Sequence, residues 1–171
     1  MALTVEDGTG LSNADSYLSE ADADAYHTAH DDPSAWSGAS SADKENALRL
    51  ATQYLDVLYG ARWHGYRINS TMSLDWPRNS VVGRDGYTYL STAVPQEVKD
   101  ATAILALKVV NGDTLIPDVT AGANVMVESV SVGPISTSKT FSGEKTAGKQ
   151  YSMVDLLLAD LVAPSGSVWR A

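Results

Sequence analysis

Cysteine is absent from the 171 residues. That excludes disulfides, thiolate metal sites and a cysteine nucleophile, and it suits assembly in a reducing cytoplasm. No apolar run approaches the ~20 residues that a membrane-spanning helix needs. The opening MALTVEDGTG has neither a basic n-region nor an apolar h-region, so it reads as a soluble, unprocessed product. Basic residues are scarce: 12 Lys and Arg stand against 21 Asp and Glu, for a formal net charge of −9. The first 32 residues carry Glu6, Asp7, Asp15, Glu20, Asp22, Asp24, Asp31 and Asp32 and no Lys or Arg. Nucleic-acid binders usually show a basic footprint, because releasing counterions from phosphates drives their affinity. The plain reading of this acidity is a solvated surface. The sharper one is a surface that repels an anionic polymer such as DNA sliding past.

Catalytic signatures are missing too. There is no G-x-S-x-G, no H-E-x-x-H and no dinucleotide fingerprint. Carboxylates abound in 15–32, but nothing isolates a tuned pair for general acid–base work. GEKTAGKQ (143–150) matches G-x-x-x-x-G-K, yet TFS precedes it and Gln150 follows the lysine. A phosphate loop needs a buried strand before it and Ser or Thr beside the lysine for Mg²⁺, so this stretch reads as a flexible loop. His27 and His30 share a helical turn near Asp24 and Asp31, but no third ligand at a fixed spacing is evident. They read as an exposed polar face. The expectation is a protein that is not an enzyme and holds no metal or cofactor.

What is present is helical periodicity, with 44 % hydrophobic residues to build a core. Ser19 with Asp22 predicts a capped start for a helix over 20–30, with Ala21, Ala25 and Ala29 along its face. Residues 33–42 read as a loop pinned by Trp36. A helix over 42–58 presents Ala47, Leu50, Ala51, Tyr54, Leu55 and Leu58 at core-facing spacing, and Gly60 stops it. Pro95 opens a third helix with Val98, Ala101, Thr102, Leu105 and Val109 on one face, and Asn111-Gly112 ends it. Ser152 and Asp155 predict a capped last helix to 162, apolar nearly all round and so buried on more than one face.

Between the second and third helices lie more than thirty residues with no helical pattern. That is long for a loop, so its own aromatics must hold it. Asp85-Gly86 predicts a small hairpin. In this segment Arg62, Arg67, Arg78 and Arg84 interleave with Trp63, Tyr66, Trp76 and Tyr87, a pattern that can stack bases and grip a backbone. The plainer reading buries Trp63 and Trp76 as anchors and pairs the arginines with the excess carboxylates. At the corner LDWPRN (74–79), Trp76 plugs the core, Pro77 fixes an extended exit and Arg78 pairs with an acidic residue. Tyr54 completes the set of anchors. Farther on, Val125, Val127, Val130 and Val132 alternate with polar residues, a strand whose parity shift predicts a bulge. Gly133-Pro134 turns it and 135–141 returns.

The expected fold is mainly α: a small helical bundle over 1–118, an extended β-ribbon arm over 119–150, and a C-terminal helix and docking tail over 151–171. Val130, Val132, Leu157, Trp169 and Arg170 are the candidate interface residues.

The order ADAYH (23–27), ALRLATQYLD (47–56), RWHGYR (62–67), LDWPR (74–78), VPQEVKDATAILAL (94–107), VESVSVG (127–133) and YSMVDLLLADL (151–161) resembles a family of tailed-phage proteins encoded near the portal and capsid genes. That family is often labelled DnaT-like ssDNA-binding, and its structural relatives are head–tail connector, or adaptor, proteins. The resemblance covers nearly the whole chain, and the spaced tryptophans and W-P-R are its most specific part. It implies a head-completion protein in the virion neck, assembled in the host cytoplasm. About twelve copies would form a ring beneath the portal and above tail or nozzle proteins, with DNA passing through the channel without specific binding. The competing expectation is a single-stranded DNA-binding module that uses 62–87.

Overall fold

A computed structural model of the chain describes residues 2–30, 33–116, 127–132, 135–140 and 151–163. Two compact units result, one from Met1–Leu115 with Tyr151–Ala171 and one from Ile116–Gln150. The described part of the C-terminal segment thus belongs to the helical unit instead of standing apart from it. The chain is helix-rich, with short antiparallel strand pairs, and among the described residues no helix is long and apolar enough to cross a membrane.

Helix α1 spans Glu20–Ala29, and the Ser19 hydroxyl accepts from the Asp22 amide as its cap. Its buried face is not the alanine stripe. Ala21, Ala25 and Ala29 are exposed, while Ala23 and His27 are buried. The reason is tertiary. A single turn, α2 (Ser34–Ser37), carries Trp36 inward, and the Trp36 ring sits 4.5 Å from that of His27. Asp24 beside it accepts from Trp36 Nε1 at 2.7 Å and from Lys44 Nζ at 2.8 Å. Methyl groups lose to a ring and two hydrogen bonds. His27 is therefore a core residue, and burial lowers its pKa.

Helix α3 (Ser41–Tyr59) packs chiefly on α4 (Gln96–Val110). Ala47, Ala51, Tyr54 and Leu55 are buried as expected, but Leu50 and Leu58 are exposed, and Leu48, Thr52 and Tyr59 take their place. On α4 the buried face is Val98, Ala101, Thr102, Ala103, Leu105 and Ala106. Thr102 satisfies its hydroxyl by donating to the Val98 carbonyl at 2.8 Å. Pro95 stands one residue before the helix as its cap, and Gly112, at φ +88°, follows its end.

The last helix, α5 (Ser152–Leu157), is shorter than expected, and Tyr151 stands at its N-cap with no side-chain capping hydrogen bond to the helix. Val154, Leu158 and Leu161 are buried, but Leu157 is only half-buried, and Met153 and Leu156 are 61 % and 73 % exposed. The helix is thus covered on one face, not several. Tyr59 ties it to α3 by donating its hydroxyl to Asp155 at 2.5 Å.

The second unit contains β3 (Val127–Val132) and β4 (Ile135–Thr140), antiparallel from Val127↔Thr140 to Val132↔Ile135. The pairing is one-to-one, so no bulge separates Val127 from Val130. Val130 and Val132 share one register parity and Val127 has the other. The predicted Gly133-Pro134 turn, the 143–150 loop, Trp169 and Arg170 lie outside the described residues.

Candidate functional site

The segment from Gly60 to Leu90 wraps the end of α3. A 3-10 turn, Gly60–Arg62, leads from the helix into Trp63. Strand β1 (Tyr66–Arg67) then pairs with β2 (Arg78–Asn79), which closes residues 68–77 into a loop. Gly65 makes that pairing possible. It sits at φ +68°, and a Cβ there would lie 2.0 Å from the Asn79 carbonyl oxygen. The loop is stitched to the N-terminal segment. The Ser73 amide donates to Leu11 O at 3.0 Å, and its hydroxyl donates to Ala14 O at 2.6 Å.

Trp63 and Trp76 are buried, with rings edge-to-face at 5.6 Å and Trp63 also against Tyr59. Each indole N–H lacks a hydrogen-bond partner among the described residues, so both act as packing groups. Pro77 is buried beside Trp76, and the peptide between them is cis. Tyr54, buried on α3, meets Tyr151 edge-on at 5.8 Å.

The arginines do not pair as the sequence predicts. Arg78 is buried and donates to three carbonyl oxygens: His64 at 2.8 Å, Gly65 at 2.9 Å and Asp75 at 3.3 Å. Burial lowers its pKa. Arg67 donates to Met72 O. Arg62 donates to Ala163 O at 3.1 Å and lies over the Tyr59 ring. The Ala163 amide returns a bond to Arg62 O at 2.8 Å, and the His64 amide donates to Leu161 O at 2.9 Å. These guanidinium groups cap loop carbonyls that the short strands leave without ladder partners, a need that reading charge alone does not reveal. Arg84 differs: it is 3.9 Å from Asp160 and its side chain is exposed. It stands on the expected hairpin, where Val82 bridges Thr88 and Gly86 takes φ +81°. Tyr87 and Leu90 there are 81 % and 71 % exposed, and Tyr66 is exposed on β1.

Removing the Arg78 guanidinium should therefore act on folding. A hydrogen bond from a charged donor is worth roughly 1.5–3 kcal/mol net, and removing the guanidinium also returns the cost of burying it, so the three bonds do not add. Arg78→Met is expected to cost roughly 2–3 kcal/mol in urea unfolding. A variant as stable as its parent would show that water replaces the guanidinium without loss.

A polar cluster that sequence reasoning missed lies behind this corner. The Tyr17 hydroxyl donates to Asp56 Oδ1 and accepts from the amides of Asp75 at 3.0 Å and Trp76 at 3.2 Å. The Asp75 amide also reaches Asp56 Oδ2 at 3.3 Å. Burial raises the Asp56 pKa to about 7; the Tyr17 bond opposes this and the Asp75 charge adds to it. Burial likewise raises Tyr17 well above its ordinary value. A cavity of about 450 Å³ adjoins, lined by Asp15, Arg49, Thr52, Asp56, Ser73 and Leu74 among others. The one hint in the sequence is Thr52 and Asp56, two polar residues at i, i+4 beside an apolar stripe.

The N-terminal acids are also less idle than a solvated surface. Glu6 is buried, and its carboxylate accepts from the amides of Gly8, Gly10 and Leu11 at 2.8–2.9 Å. Asp15 pairs with Arg49 at 2.8 Å.

The sequence model of the family described as "Putative DnaT-like ssDNA binding protein" matches residues 1–171. The chain belongs to this family. No curated protein and no solved structure matches it. Set against that family description, the geometry leaves Tyr66, Tyr87 and Arg84 as the exposed members of the arginine–aromatic segment, while Trp63, Trp76, Arg67 and Arg78 are engaged within the fold.

Proposed function

We propose that this family member is a structural head-to-tail adaptor of a tailed bacteriophage, one copy in a homo-oligomeric ring beneath the portal. DNA passes through the channel without specific binding. The observation that carries this reading over DNA binding is the inward engagement of Trp63, Trp76, Arg67 and Arg78 on a chain of net charge −9. Stacking platforms need exposed rings beside free cations. Uncovered apolar residues on α5, Met153 and Leu156, favour contact with another protein. The test is electron microscopy of the protein mixed with the portal protein of the same phage. A ring stacked on the portal is the expected result. Two species that stay apart at every salt concentration would overturn it.

The second reading takes the family description at its word and is favoured by the exposed Tyr66, Tyr87 and Arg84. It calls for salt-sensitive affinity for an oligodeoxynucleotide that falls in Tyr87→Ala and Arg84→Ala. The adaptor reading expects no such affinity.

A further inference from the structure

We infer that the β3–β4 ribbon joins copies of this chain edge to edge, with β4 of one copy against β3 of the next in a single antiparallel sheet. The inference deepens the homo-oligomeric part of the adaptor reading and rests on it.

The ribbon belongs to a unit of its own, Ile116–Gln150, and its sheet has two strands. A two-stranded ribbon is marginal in water. Among the described residues, each strand therefore has one outer edge with no strand beside it. Proteins that keep such edges free use proline, bulges or clustered charge to blunt them. VESVSV and ISTSKT contain no proline, pair one-to-one and carry one charge each, Glu128 and Lys139. These edges are open to pairing.

The choice of partner edge follows from charge and direction. Glu128 and Lys139 occupy paired positions in the ribbon. Joining like edges gives neither charge an opposite partner. Joining unlike edges in the ribbon's own register sets Lys139 of one copy opposite Glu128 of the next, the favourable cross-strand arrangement. Because β3 and β4 are antiparallel, copies related by rotation about a common axis bring β4 and the following β3 together antiparallel as well. Such a contact is head-to-tail, and head-to-tail contacts close into rings when the rotation closes, whereas a contact between like edges is a two-fold one.

The 171 residues contain no cysteine, so introduced thiols report without background. Ser129 and Ser138 are paired positions, and Cα separations of ~4.5–5.5 Å across an antiparallel pair admit a disulfide. Ser129→Cys and Ser138→Cys are made as separate proteins and oxidised alone and mixed. A covalent dimer in the mixture and none in either variant alone is expected. Cross-linking as strong in a single variant would overturn the inference in favour of like-edge pairing. Rings seen by light scattering without any cross-link would overturn it and leave the adaptor reading standing. A chain that remains monomeric both alone and with portal would sink both. The charge argument has its own readout. Glu128→Lys should reduce oligomer, and Glu128→Lys with Lys139→Glu should restore it. Loss in both would show that charge pairing is not the determinant.

Discussion

Trp76→Ala is expected to lower stability by ~3–5 kcal/mol, the range for deleting a fully buried aromatic. Trp76 is wholly inaccessible and lies edge-to-face against Trp63, and Trp63 is bridged in turn to Val162. One cavity would therefore loosen the loop corner and the seat of the C-terminal segment together. Native proteins hold roughly 5–15 kcal/mol in total, so the variant should unfold at much lower urea. Equilibrium unfolding followed by circular dichroism measures it. Trp76→Phe should cost far less, since among the described residues the indole N–H makes no bond that phenylalanine would lose. A near-parental midpoint for Trp76→Ala would refute the structural reading of the W-P-R corner.

The next largest effect concerns pH. Burial raises Asp56 to about 7 in the folded chain, against an ordinary value of about 3.9 when unfolded. Between those values the folded state keeps a proton that the unfolded state has lost. The stability from this group is complete below the unfolded value and is lost as pH rises through about 7. At about 1.4 kcal/mol per unit, the three-unit gap sets a ceiling of about 4 kcal/mol. Burial shifts His27 the other way, down, so its contribution grows with rising pH. Asp56→Asn separates the two. Asparagine still accepts from the Tyr17 hydroxyl and carries no charge, so the variant should lose the downward slope, with a cost independent of pH where its amide nitrogen meets the Asp75 amide. Urea midpoints from pH 5 to 8.5 decide the matter. A parent whose stability stays flat or rises while Asp56→Asn merely loses stability would exclude a raised Asp56.

Local chemistry made much of the helical frame legible. Ser19 with Asp22 capped α1 as written, Asn111-Gly112 closed α4, and Asp85-Gly86 turned the hairpin. Burial of Trp63 and Trp76 was legible as well, because a long helix-free segment needs large side chains to anchor it. Faces were less so. The alanine stripe of α1 and the Leu50 and Leu58 positions of α3 fit helical spacing yet point to solvent. Spacing defines a stripe only relative to its neighbours, and those of α1 are α3, α4 and the Trp36 turn, the last of which the sequence presents as loop.

By itself the sequence determined the acidity, the absence of thiols, the positions of the main helices and the presence of a ribbon. Each depends on composition or on contacts within a few residues. Only the tertiary structure decided that Arg78 caps three carbonyls instead of meeting a carboxylate, and that Tyr17, Asp56 and Asp75 share one partly buried network. Those partners come together across separations of 39 and 58 residues. No local propensity acts over that distance. Packing of the loop against α3 and the N-terminal segment brings them together, and the need to satisfy buried polar groups then fixes which atoms pair.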